Sequence, residues 1–587
     1  MAQLALTNIV TISVSAGNPG AGAYNTSNLG LFTDDAPASA SATITFSGTA
    51  ASGSLVVNFG GHAASAINYN DTVQAIQNKF NAVSGAANIV VTGTVTGAGG
   101  LTLSQPGIFG SLPAITFGTN SLQTSGSVAV TPSAAVVAAG WSGGTGGYAA
   151  YVAPTQVGLD FGTGSKTFAM ANGVFSQQPN ILTGNGQLII ILMNVSQWTL
   201  GFSGVAASGA FEITYNSNAT ASIAWNAATS TIQSDLQAVT GCAQAQVTGT
   251  ITGETLTIIL FGVYGAGQAI STASNTLMTS APASITVSPS QSVTGETIGA
   301  AVTRTASLVQ YFGVMVNESC GTGQVIPSAD VTALAAVLLP LVKIGFMVTN
   351  SSTDLTAVTG MIAVLTASSF TNTRMLYYGD TSSSGIQNAL VMAASYAGLA
   401  LSVNFNGSLT TTTMHLKVLA GVAPDPSMTQ TILNEAVACG ADVYVSLQGV
   451  SAVFISGANT FYDNVYNLLW FTGALQIAGF NYLAQTGTKV PQTESGMDGL
   501  KGAYKSVCQQ AVTNGYCAPG SWTSATTFGN NAQLLANVSQ VGFYIYSQPV
   551  AQQLQTARAA RQAPVVQIAI KEAGAIQSSN VIVAVNP

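Results

Sequence analysis

SGTAASGSLVVNF, residues 47–59, returns as SGVAASGAFEITY, residues 203–215. The offset of 156 positions then holds through Ile67/Ile223, Tyr69/Trp225, Asn70/Asn226, Ile76/Ile232, Gln77/Gln233, Val83/Val239, Gly85/Gly241 and Val91/Val247. After one deletion Leu101-Thr102-Leu103 meets Leu256-Thr257-Ile258, and the copies close on VAVTPS (128–133) and ITVSPS (285–290), so each is about ninety residues long. Alternating runs inside a copy read as strands. NDTVQAIQNKFNAV (70–83) and NAATSTIQSDLQAV (226–239) each read as one short helix, opened by Asn70 or Asn226 as N-cap. This is a small α+β module used twice. Two copies are too few for a solenoid and unrelated sequence separates them, so they read as insertions at exposed polar linkers such as DDAPASASA (34–42).

Around the copies, apolar runs alternate with helical patterns. LVQYFGVMV (308–316), IGFMVT (344–349), TRMLYY (373–378) and DVYVSL (442–447) read as strands, with helices beginning near Ser328, Thr353, Ser384 and Ser427 between them. That alternation is the βαβ signature of a buried, mostly parallel sheet. Ser427 with Gln430 forms a capping box and Gly440 supplies the residue past the helix end. Helical regions follow over 460–485 and 495–514. The expected fold is multidomain α/β and α+β. Residues 1–40 form an N-terminal arm and the start of the core, 41–130 the first module, and 131–202 a core segment. Residues 203–290 form the second module, 291–450 the α/β core with its βαβ sheet, and 451–587 a C-terminal mixed domain ending in a strand arm.

Composition limits the partners. Of 587 residues, 12 are Lys or Arg and 19 are Asp or Glu, 5% in all against about 25% in ordinary soluble domains. So few cations offer no basic groove for tracking phosphates, which excludes nucleic-acid binding. A net charge of −7 is weak for long-range steering, so association rests on shape, backbone pairing and apolar burial. MAQLALTNIV at the start lacks a basic signal region, and charged or polar residues interrupt the best apolar stretches, which argues against membrane insertion. Five cysteines without a C-x-x-C pair argue for reduced thiols rather than a disulfide framework or a zinc site.

No catalytic constellation assembles. FGTGSKT at residue 161 fails the phosphate-loop spacing because Ser165 separates Gly164 from Lys166, and reads as a plain turn. GWSGG (140–144) fits G-x-S-x-G formally, but Ser142 sits in a glycine-rich linker with only His62 and His415 as conceivable bases. Asp34-Asp35 and Asp425 read as loop acids, and the stripe Phe461, Tyr462, Tyr466, Trp470, Phe471 as core or interface. The expectation is a structural protein, with no enzyme activity and no cofactor.

Four segments then carry a family likeness: GLDFGTGSKTFAMANGVFSQQPN (158–180), FISGANTFYDNVYNLLWFTGALQ (454–476), KVPQTESGMDGLKGAYKSVCQQAVTNGYCAPGSW (489–522) and RAARQAPVVQIAIKEAGAIQSSNVIVAVN (558–586). In this order they resemble the tail sheath proteins of contractile bacteriophages, over nearly all of the host domain and leaving out the repeats. The resemblance implies a sheath-type core and a homo-oligomer of stacked six-fold rings. These rings form a helical tube around the tail tube protein, between baseplate and tail terminator proteins, in a virion assembled in the host cytoplasm. It also implies contraction from a metastable packing to a wider one that drives the tube through the host envelope, with no cofactor. Charge in these segments is sparser than the family's usual pattern.

The termini supply a mechanism for that assembly. Leu4, Leu6, Val10, Ile12 and Val14 alternate with polar residues as one lone strand, and Val581, Ile582, Val583 and Val585 form another at the far end. Such strands either complete their own sheet or add to a neighbour's edge, and in the sheath family terminal arms link neighbouring subunits by strand addition. Lys501 with Lys505, four apart on one expected helix face, and Arg558 with Arg561, three apart on another, are either tube-facing or solvated. The modules are expected to face outward. The alternative from another class is a secreted surface-layer or adhesin-like protein, favoured by low charge and repeats.

Overall fold

The computed structural model describes residues 25–579 except 85, 87–88, 106–111, 139, 142, 144–146, 267–268, 322 and 357–358. The chain divides into two units, one of residues 1–30, 170–189 and 302–587 and the other of residues 31–169 and 190–301. The architecture is mixed α/β with several separate sheets. No described helix is long and apolar enough to cross a membrane.

In the first unit, strands Gly313–Val316, Ile344–Thr349, Thr373–Tyr377 and Ala441–Leu447 lie side by side and parallel, and Val450–Phe454 returns antiparallel beside the last. Every residue of the first three strands is buried, as expected where helices cover both faces of a parallel sheet. The crossovers carry helices Ser328–Leu341, Met361–Ala367, Ser383–Ala400 and Gln430–Cys439. On the other flank the carbonyl of Asn28 accepts from Phe312 N (2.8 Å) and Gly313 N (3.0 Å).

Three local expectations are corrected here. The run from Leu308 contributes only Gly313–Val316 to the ladder. The helix expected near Thr353 is a 3-10 turn, Ser352–Leu355, followed by a separate helix from Met361. The helix before Gly440 is capped by Thr429, whose hydroxyl accepts from Ile432 N at 3.3 Å. Ser427 is diverted because Asp425 Oδ1 accepts both its N–H (2.9 Å) and its hydroxyl (2.6 Å), an Asx turn that outcompetes the capping box. Gly440 does close that helix, at φ 117°. Asp425 is therefore a loop acid that is buried as a turn-former and also accepts from Gly379 N at 2.6 Å.

Lys343, just before the second parallel strand, is 1% exposed; its Nζ donates to the Tyr311 carbonyl and lies 3.7 Å from the Tyr311 ring centroid. Burial pushes its amine down to about 7. In the unfolded chain the amine keeps its proton to about pH 10.4, so between these values the unfolded state binds more protons and folding stability gains with rising pH. Lys343→Met should therefore hold its greatest stability advantage over the natural chain at pH 7 and below. That advantage should shrink by about 1.4 kcal/mol per pH unit above 7. Urea titrations of both chains between pH 6 and 9 measure it, and a pH-independent difference contradicts it.

The second unit holds the duplicated modules. In the first, Val90–Gly93, Leu101–Gln105, Ala40–Phe46 and Pro132–Ala138 form one antiparallel sheet in that order; in the second, Gln246–Thr250, Thr255–Ile259, Gln197–Phe202 and Val287–Val293 repeat it. A smaller sheet is centred on Ser54–Phe59 in one and Ala210–Tyr215 in the other, and the helices are Val73–Asn81 and Thr229–Gln237. Equivalent side chains fill both cores, among them Leu55/Phe211, Ile76/Ile232, Phe80/Leu236 and Val91/Val247. Even the irregularities repeat. The first strand shifts register against the last between Ser41 and Ala42 in one module and between Gln197 and Trp198 in the other, 156 positions on, as a β-bulge kept through duplication does. The N-caps differ from expectation. Thr72, not Asn70, accepts from Ala75 N at 3.2 Å, and the second helix has Ala228 at its N-cap with no side-chain bond, because Asn70 and Asn226 sit in the turns that precede the helices.

Asp34 and Asp35, read as loop acids, are each 1% exposed in this unit. Asp35 Oδ2 accepts from the backbone N (2.9 Å) and hydroxyl (2.6 Å) of Thr167, while its Oδ1 accepts from Gln244 Nε2 at 2.9 Å. The buried carboxylate thus fastens the second module to the segment that begins helix Lys166–Phe175. FGTGSKT is the turn joining that helix to Pro154–Phe161, closed by Ser165 Oγ donating to the Gly162 carbonyl at 2.8 Å.

Candidate assembly surface

The described residues 462–579 belong to the first unit. Helix Tyr462–Gln485 packs against Glu494–Thr513, and helix Asn531–Val541 leads into strand Phe543–Ser547, which pairs antiparallel with Val566–Ile570. Side chains alternate along the strands as period two requires. Phe543, Ile545, Val566, Ile568 and Ile570 join the core beneath helix Glu494–Thr513, whereas Tyr544 and Ala569 pack with Leu534 and Val538 of helix Asn531–Val541. Helices therefore cover both faces. Among the described residues the sheet has only these two strands, and the outer edges of both lack a paired strand. A two-strand sheet is marginal alone, and its edge N–H and C=O groups are a template for further pairing.

An ion pair buried in the parallel sheet positions this region. Arg374, second residue of strand Thr373–Tyr377, donates Nε to Asp442 Oδ2 at 2.6 Å and Nη2 to Asp442 Oδ1 at 2.5 Å. Its remaining donors reach the carbonyls of Ser456 (2.6 Å) and Thr460 (2.8 Å), just before helix Tyr462–Gln485. Asp442 also accepts from Tyr396 Oη (2.7 Å) and Ser456 N (2.7 Å). Burial works against the charge on Arg374, but the Asp442 carboxylate outweighs it and holds the guanidinium charged, above its ordinary range. Burial first, then the Asp442 charge, pushes the Tyr396 phenol well up, so it stays a donor. The cluster joins two strands, one crossover helix and the start of the C-terminal part. Neither charge stood out in the sequence, although a lone Arg and a lone Asp within apolar strand runs were the available signal.

The expected aromatic stripe belongs to the core. Tyr462, Tyr466 and Phe471 are buried, Tyr462 and Tyr466 stack at 5.5 Å, and Trp470 stacks on Phe405 at 4.4 Å.

The charged pairs are split by their surroundings. Lys501 and Lys505 both lie on helix Glu494–Thr513, but Lys501 Nζ is 2.9 Å from Asp498 Oδ1, one turn earlier, while Lys505 is exposed. An exposed i,i+3 pair of this kind contributes under about 1 kcal/mol, so it leaves the lysine available to other acids. Arg558 is exposed on the short helix Gln555–Ala559; Arg561 lies beyond the helix end with φ 56°, so these two do not share a helix face as expected. Leu4, Leu6, Val10, Ile12, Val14, Val581, Ile582, Val583 and Val585 lie outside the described residues, as does Ser142. All five cysteines are buried and free. Among the described residues no group of three or more His, Cys, Asp or Glu is arranged to hold a metal ion.

No curated protein matches the chain. A chain of the anti-feeding prophage baseplate, solved by cryo-EM with six-fold symmetry imposed, aligns with 49% of this chain and 72% of its own length, at 12% identity and a TM-score of 0.33. A score of that size does not establish a common fold. Residues 462–585, which span the two long helices, the open-edged sheet and the start of the final segment, match the family model for the C-terminal domain of tail sheath proteins like gp31 of E217, and over that stretch the likeness to the tail sheath family is shown.

Proposed function

We propose that this chain is a structural subunit of a contractile tail sheath, which polymerises into a helical tube of stacked six-fold rings around an inner tail tube and drives that tube forward on contraction. It works without catalysis or a cofactor, and its end partners are baseplate and terminator proteins of a phage or tail-like particle. The observation that carries this reading is the match of residues 462–585 to a sheath C-terminal domain. The terminal strands around Leu4–Val14 and Val581–Val585 pair with the outer edges of Phe543–Ser547 and Val566–Ile570 on neighbouring subunits, in keeping with the open edges of that sheet. Backbone pairing keeps subunits joined while their bodies rotate, and a repeated head-to-tail contact generates a helix. The modules at 41–130 and 203–290 are insertions that decorate the outside. The strands that enter and leave them, Ala40–Phe46 with Pro132–Ala138 and Gln197–Phe202 with Val287–Val293, pair side by side, the geometry that lets a domain be inserted into a loop without disturbing its host.

Purified protein viewed by negative-stain microscopy tests the reading: cogwheel rings or tubes support it, whereas flat sheets favour the surface-layer alternative and a permanent monomer contradicts it. Lys501 and Lys505 on one side, and Arg558 and Arg561 on the other, are the proposed tube-facing cations. Reversing either pair to Glu should leave empty sheaths unchanged but lower tube retention in assembled tails several-fold, with the loss falling as salt rises. Equal retention in all variants would remove that assignment.

A further inference from the structure

Strand Val450–Phe454 ends the parallel sheet on one side, and its outer edge is only partly covered. Val453 donates its N–H to the Lys417 carbonyl and accepts from Leu416 N, both at 2.8 Å, and Ile455 N donates to His415 Nδ1 at 3.5 Å. Alternate residues of an antiparallel strand turn both backbone groups to the same side, so the next outward position toward the hairpin is Ser451. Among the described residues no strand pairs with the edge at that point. The side chains around the gap are apolar: Leu416 is 54% exposed, Val418 61% and Val450 61%. Single exposed apolar residues are ordinary, but three along one open strand edge make a template for a further strand.

The chain itself leads a strand to this place. Beyond Val566–Ile570 the last described stretch runs beside residues 411–415 and in the same direction, because Gly574 and Ala575 border the same small cavity as Thr411, Thr412 and Thr413, and Gln577 then meets His415. The His415 ring lies edge-on to Phe454, with centroids 4.8 Å apart. Burial pushes its imidazole down, and against this the backbone of Gln577 hydrogen-bonds to the ring and favours its charged form. His415 thus ties the end of the open-edged strand to the base of the C-terminal segment. Four extended residues span about 13 Å, whether from Gln577 on to Val581 or from Ile455 back to Ser451, so Val581 comes level with the gap. The sequence from there is VIVAV (581–585). We propose that in the free subunit residues 581–585 of the same chain add to this open edge and cover Leu416, Val418 and Val450. A tether of a few residues gives a local concentration in the millimolar range, so at micromolar protein a chain's own segment outcompetes that of another copy by about a thousandfold. Resting on the sheath reading, the consequence is regulatory: the strand that links neighbours is held by its own body until a growing tube offers it a neighbour's sheet, which keeps free subunits from polymerising unprompted.

The test is hydrogen exchange read by mass spectrometry on the full chain, at micromolar concentration and before tubes form. Amides of 581–585 are expected to exchange at least tenfold more slowly than in a synthetic peptide of residues 577–587, and equally slowly after tenfold dilution. Val418→Glu with Val450→Glu alters only exposed side chains, so Ile344–Thr349 should keep its slow exchange. The double variant should lose the protection of 581–585 at least tenfold and form tubes after a shorter lag. Exchange at the peptide rate in the natural chain overturns the proposal without recourse to any variant. So does protection that disappears on dilution, which would assign the strip to a second copy, and so does protection that the folded double variant retains. An unchanged lag in that variant would overturn the regulatory step alone, and a docked segment in a chain that never forms tubes would remove the sheath reading and leave the docking.

Discussion

Arg374→Ala is expected to unfold the first unit under conditions in which the natural chain is stable. The substitution strands the Asp442 carboxylate, which is fully buried, and removes the donors to the Ser456 and Thr460 carbonyls. Breaking one side of a buried pair costs about 3–5 kcal/mol, a large share of the roughly 5–15 kcal/mol that holds a domain folded. Asp442→Asn should cost less, because its amide oxygen still accepts from Arg374 while the second oxygen's bonds to the guanidinium and to Tyr396 or Ser456 are weakened. Chemical denaturation followed by far-ultraviolet circular dichroism distinguishes these outcomes. Loss confined to the C-terminal helices, with the parallel sheet intact, would show that the ion pair anchors the junction near Ser456 more than the strands. A loss below about 1 kcal/mol would show that water relieves the stranded charge.

Removing residues 1–15 should abolish tubes while leaving a folded monomer. Each added strand of about five residues brings several backbone hydrogen bonds, worth about 0.5–1.5 kcal/mol apiece, and every subunit in a helical polymer loses the same contact at once. The parallel sheet, both modules and the C-terminal sheet are built from described residues that begin at 25. Gel filtration, thermal melting and negative stain together read the result. Normal tubes from the shortened chain would refute the arm, and a chain that fails to fold would show that the strand belongs to its own body.

The range of each interaction decides whether it is legible in the sequence. The parallel strands announce themselves because both faces are covered, so IGFMVT and its fellows are nearly continuous apolar runs. The duplication is legible because the same inward positions, such as Ile76 and Ile232, must fill equivalent cores. The strands that enter the modules escaped: ASATITF and QWTLGF lie before the repeated stretches that begin at Ser47 and Ser203, and their pairing with Pro132–Ala138 and Val287–Val293 reveals them as part of each module. Caps were misplaced where a nearby acid captured the expected residue, as Asp425 captures Ser427. Arg374 and Asp442 stand 68 residues apart, and no periodicity predicts a contact at that range. Lys501 had its partner three residues upstream in plain view, whereas the left-handed Arg561 hid behind a helix of only five residues.

A near-atomic cryo-EM map of tubes assembled from the purified full-length chain bears most directly on the central claim. The account predicts extra strands hydrogen-bonded to the outer edges of Phe543–Ser547 and Val566–Ile570, each traceable to the end of a different protomer. A map in which that sheet remains two-stranded, with both ends of every chain folded onto their own body, would contradict it.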